Sequence, residues 1–196
     1  DAQEHRDLRL SLSKAAGPDG PLPVLSQQDE SGSSERVMEL LQQSGVKLVS
    51  RGLSARVMDM GARLSEVQRR NPSVRLVLSY AAFQAGRNLA ALDLIRSIDL
   101  ATLPKDDERA LALLLDISIR RSMGALSQND YAEKLQVIQA RFSDSIPAIY
   151  SRMEALRHEA ICDVSEGTLT AARRIAEDVE AKGAGMVALS LQARGV

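Results

Sequence analysis

Glu154, His158 and Cys162 stand at positions i, i+4 and i+8, a register that on a helix places three side chains able to ligate metal on one face. A structural zinc needs a fourth ligand. The only other histidine is His5, and Cys162 is the single cysteine, so the set is incomplete and no metal site is expected. Cys162 also makes a poor nucleophile. An activated thiolate requires a nearby cation or a helix N-terminus, and this one sits near a helix end between Ile161 and Asp163. With only two histidines the commonest general base is nearly missing. Gly17 and Gly20 fall in a Pro-rich stretch rather than between a strand and a helix, so they form no phosphate-binding loop. These residues together predict a protein that is not an enzyme and needs no cofactor.

The elements that must carry the chain are helical. Hydrophobic residues make up 44% of the sequence but aromatics only 3%, with no Trp, so Ala and Leu must fill the core. Both are strong helix formers, whereas sheets favour Val, Tyr and Phe. A length of 196 residues suffices for one domain with its own core. The net charge of −1 offers no long-range attraction to polyanions, which argues against a nucleic-acid partner. No run of about 18 apolar residues exists to span a membrane. The sequence starts at Asp1 without Met and has no signal-peptide pattern, which fits a matured exported protein or a fragment equally well. The compartment stays open, with a lean to a bacterial periplasm or envelope.

Three regions follow from composition. Residues 1–16 read as an N-terminal arm in which Leu8, Leu10 and Leu12 alternate with polar residues, a period suited to extended backbone or to a disordered terminus. Residues 17–34 are a Gly/Pro/Ser linker. Residues 35–196 form the helical domain. There the spacing predicts helices over 35–51, 54–70 (with Val57, Met60, Leu64 and Val67 on one stripe), 74–85 with Pro72 at its start, 89–98 and 107–123. A sixth carries Tyr131, Leu135, Ile138 and Phe142, a seventh begins at Ser145-Ile146-Pro147, an eighth follows Gly167, and a short helix fills 183–196.

The turn glycines inside successive helix pairs, Gly52, Gly86, Gly124 and Gly167, are spaced by 34, 38 and 43 residues. Between Pro72 and Pro104, Leu78-Ser79, Ala82, the turn Gly86, Ala91, Ile95 and the closing Pro104 together resemble one tetratricopeptide repeat. The preceding unit matches in Leu41, Gly45, Leu48 and Gly52 but departs at Ser44 and Gly61, where the family prefers large apolar groups. Later pairs keep the rhythm with longer loops, and Lys134 stands where a small residue is expected. The resemblance covers about residues 35–183. It implies an all-α fold of antiparallel helix pairs stacked as a tetratricopeptide-like α-solenoid, whose small residues let helices cross closely.

Such stacks imply a concave surface for a protein or peptide partner. By the resemblance, the groove-facing residues are Gln42, Val46, Val49, Tyr80, Phe83 and Gln84, with Arg75 at the edge. From Lys47 to Arg96 nine Lys or Arg face only three acids, an excess that suits an acidic peptide or describes a solvated face. The expected function is therefore a non-enzymatic interaction scaffold or adaptor, a subunit of a larger assembly. The alternatives are a chaperone for an unstable client and a helical enzyme or ligand-binding regulatory domain.

Overall fold

A computed structural model of the chain describes residues 34–143 and 145–162, together with scattered positions between 167 and 177. The described residues are all-α, without a strand. The helices are α1 (Ser34–Ser50), α2 (Ser54–Ala62), α3 (Glu66–Arg69), α4 (Pro72–Gln84), α5 (Asn88–Arg96), α6 (Asp106–Ser122), α7 (Gln128–Arg141) and α8 (Ile146–Cys162), with a 3-10 turn over Leu100–Thr102. The sequence readings of residues 1–33 and of residues 183–196 lie outside the described residues; of the eighth helix only the scattered positions between 167 and 177 are described, and these are helical, including Gly167, which was expected in a turn.

Local chemistry sets the boundaries. The Asn71 side chain accepts from the backbone N–H groups of Ser73 and Val74, and Pro72 occupies the first turn, where its missing N–H is harmless. Helix α6 carries Asp106, Asp107 and Glu108 in its first turn and Arg120 and Arg121 in its last, matching the helix dipole at both ends. One expectation fails. The helix expected over 54–70 is two helices, because Ser65 and Gln68 form a reciprocal capping box that starts α3. The break lets Leu64 turn into the core and leaves Val67, expected on the buried stripe, 79% exposed.

Three pair turns close by the same device. Gly52, Gly86 and Gly124 have φ of 81°, 76° and 69°. In each, the glycine N–H bonds three residues back and the next N–H five residues back, as in Leu53 to Leu48, Arg87 to Ala82 and Ala125 to Arg120. This double bond satisfies the last free carbonyls of the first helix and turns the chain into the second. Only a residue without Cβ adopts that backbone cheaply.

The pairs α1/α2, α4/α5 and α6/α7 then pack by one rule: both members of a pair touch the first helix of the next element, α4, α6 and α8 in turn. Polar bonds give the relative directions. Arg75, at the start of α4, donates to the Ser97 carbonyl just past the end of α5 at 2.9 Å, so that pair is antiparallel. The Ser73 hydroxyl donates to Glu108 at 2.7 Å, and Asp107 accepts from the Ile146 N–H at 3.2 Å. The starts of α4, α6 and α8 are thereby tied together, and these first helices run parallel. The three glycine turns consequently share the opposite edge.

Candidate functional site

Helix α4 is the centre of the described structure. With α1, α2, α5 and α6 against it, ten of its thirteen residues are buried, and burial of that apolar surface supplies much of the driving force for the stack. This bears directly on the expected groove. Tyr80 is 0% exposed, Val49 is buried beside it in rank, and Phe83 is buried as well, so these three side chains offer no surface to a partner. Gln42, Val46, Arg75 and Gln84 are half-buried and keep some surface. Arg75 is engaged in holding the end of α5. Helix α4 is enclosed more completely than an open groove wall.

Glycines make that enclosure possible. A Cβ at Gly45 of α1 would lie 2.5 Å from a Val77 methyl, and one at Gly61 of α2 would overlap the Leu78 side chain. Each first-pair helix thus has a notch that an α4 side chain fills. Gly61, a departure from the repeat pattern in sequence, is the socket for Leu78. The Ser79 hydroxyl adds a buried donor to the Ala91 carbonyl at 2.8 Å, tying α4 to α5.

A second region assembles where α6, α7 and α8 meet. Arg121 lies over the Tyr131 ring, 4.3 Å from its centroid, a cation–π distance. Ser118 and Arg121 hydrogen-bond to the Tyr131 hydroxyl, and Glu154 sits close enough to act on it electrostatically. Burial, and then the Glu154 charge, raise the Tyr131 phenol above its ordinary value of 10.0. Glu154 itself is 5% exposed. Beside these groups is a cavity of about 70 Å³ lined by Arg121, Gln128, Tyr131, Leu135, Gln136 and Glu154. It has room for a few waters or one side-chain head, far less than the roughly 300–1,000 Å³ of small-molecule sites.

Sequence reasoning missed this cluster. Tyr131 was assigned to an apolar stripe and Glu154 to a ligand face with His158 and Cys162; nothing in either helix says that the two meet. The three-residue register does lie within α8, but the side chains of His158 and Cys162 are outside the described residues. Among the described residues no group of three or more His, Cys, Asp and Glu is placed to hold a metal ion. No helix is long and apolar enough to cross a membrane, again among the described residues. Comparison with known proteins finds no matching family, no matching curated protein and no matching solved structure.

Proposed function

We propose that the chain is a non-enzymatic scaffold or adaptor whose helix pairs stack in the manner of a tetratricopeptide-like solenoid and present a partner-binding surface. One observation carries the reading: three successive pairs close with the same glycine turn, and both members of each pack on the next first helix. A stack built by repetition gains surface in proportion to its length, and such surfaces serve recognition of extended segments. The accessible part of the predicted groove is then Gln42, Val46 and Gln84.

Two observations weigh against the alternatives. Among the described residues, the exposed large apolar side chains Val67, Leu89, Met123 and Val137 belong to separate elements and build no patch for an unfolded client. The α6–α8 cavity favours a ligand-binding regulatory reading by its mixed charges, but its size restricts it to a fragment of a ligand. The test is selection of a random linear peptide library on the folded chain. Enriched peptides whose binding falls in the combined Gln42→Ala, Val46→Ala and Gln84→Ala variant, at unchanged melting temperature, support the groove. Enrichment of no peptide would falsify the interaction reading.

A further inference from the structure

We infer that the glycine-turn edge of the first two pairs is a docking site for an acidic protein segment, in which Lys47, Arg51, Arg56 and Arg87 take up carboxylates. The inference rests on the interaction reading above and names the partner chemistry. Lys47 and Arg51 lie in and just past the last turn of α1, Arg56 in the first turn of α2, and Arg87 directly after Gly86. Gly45 faces Val77, and Gln68, just ahead of α4, reaches Ser34 at the start of α1, so α1 and α4 run parallel and their turns are neighbours. The four cations therefore gather at one edge.

No acid stands in either turn: residues 43–58 and 80–92 contain neither Asp nor Glu. At the opposite edge Arg63, Arg69 and Arg96 also form no ion pair among the described residues, but acids stand among them there, Glu66 paired with Arg70 and Asp106 with Arg109. None of the four edge cations forms an ion pair or a side-chain hydrogen bond among the described residues. The positions four residues before them are Gln43, Lys47, Gly52 and Phe83, so the usual helical acid is missing in every case. Lys47 and Arg51 even stand at a like-charge i, i+4 spacing that weakens α1. The helix dipole explains their sign at the C-terminal end of α1 but not Arg56, which lies at the N-terminal end of α2. Asp59, one turn further along α2, is the nearest acid in sequence.

The occupant this edge fits is a protein carboxylate rather than a nucleic acid or a membrane. Three of the four groups are arginines, whose forked donors pair with carboxylate and phosphate oxygens alike, so the surface around them decides between the two. All five aromatic residues of the chain, Tyr80, Phe83, Tyr131, Phe142 and Tyr150, are buried, so no stacking platform accompanies the charges. Among the described residues, Leu89 is the one exposed large apolar side chain beside Arg87, less apolar surface than an amphipathic membrane anchor needs.

The experiment measures anisotropy of a labelled Asp/Glu-rich peptide, its Asn/Gln counterpart and a single-stranded oligonucleotide, plus sedimentation with anionic phospholipid vesicles. Each probe meets the full chain, a Lys47→Glu, Arg51→Glu, Arg87→Glu variant and a control with Arg63→Glu, Arg69→Glu, Arg96→Glu. The control carries the same charge change at the opposite edge. Expected is a loss of about tenfold or more for the acidic peptide in the first variant only, with the amide peptide weak throughout. Should the first variant fail to fold by circular dichroism, the matching glutamine variant replaces it. Equal losses in both variants, or tighter binding of oligonucleotide or vesicles, would overturn the inference. Library peptides without acids that bind the first variant undiminished would overturn it while leaving the interaction reading intact.

Discussion

The two ends of the stack meet their neighbours by different chemistry. Where α1 and α2 dock on α4, the contact is made by two glycine notches filled by Val77 and Leu78, with no charged group inside. Where α6 and α7 dock on α8, it holds a buried glutamate, a tyrosine under a guanidinium, and a cavity. Both ends follow the same packing rule. The lesson is that backbone rhythm sets which helices touch, while the side chains decide whether the contact is rigid and dry or responsive to protonation. Close-packed apolar contacts tolerate little change of volume, whereas a polar cluster beside a cavity has room to reorganise.

The largest expected effect lies on the dry side. Tyr80→Ala empties a fully enclosed position in α4 and should cost about 3–5 kcal/mol in urea unfolding. Tyr131→Phe, which removes only hydroxyl bonds in the polar cluster, should cost about 0.5–1.5 kcal/mol. Equal costs would erase the distinction between the ends.

Gly45→Ala comes next. Its new methyl meets Val77, and overpacking of this kind costs about 1–3 kcal/mol, partly offset by the better helix propensity of Ala. Combining it with Val77→Ala should recover part of the loss, and a double-mutant cycle reads the coupling directly. Strict additivity would show that the notch is not the seat of the contact.

The turns should respond alike at both ends. Alanine at Gly52, Gly86 or Gly124 meets no neighbouring atom within 4 Å, so only the left-handed backbone opposes it, at about 1–2 kcal/mol each. A much larger cost at one turn, measured by thermal melting, would identify packing there that the other two lack.

The smallest effect is the pH response, confined to the polar end. Because the folded phenol of Tyr131 has a raised pKa, the native state keeps a proton that the unfolded chain releases from about pH 10 upward. The site's contribution is whole below that pH and is lost as pH rises through the folded value. Glu154→Gln removes one cause of the upward shift, so the alkaline loss should shrink. An ultraviolet phenol titration of the variant that shows Tyr131 ionising no earlier than in the wild type would discard the coupling.

Much of the local architecture was legible in sequence. Gly52, Gly86 and Gly124 marked the three turns, Asn71-Pro72 marked the start of α4, and the stripe of Tyr131, Leu135, Ile138 and Phe142 marked the buried face of α7. These features act through bonds and torsions a few residues apart, so the order of residues suffices to specify them. Ser65 to Gln68 also spelled a capping box, yet the apolar spacing from Val57 to Val67 suggested one continuous helix, and the local cap prevailed.

What the sequence determined, then, was the helical alphabet: which segments coil and, outside the 54–70 segment, where each ends and which face is apolar. Tertiary structure alone decided that α4 would be surrounded, that Tyr80 would be core rather than surface, and that Tyr131 would meet Glu154. Those outcomes depend on how helices distant in sequence cross, and crossing is settled by the fit of whole surfaces. No short-range pattern of spacing contains that information.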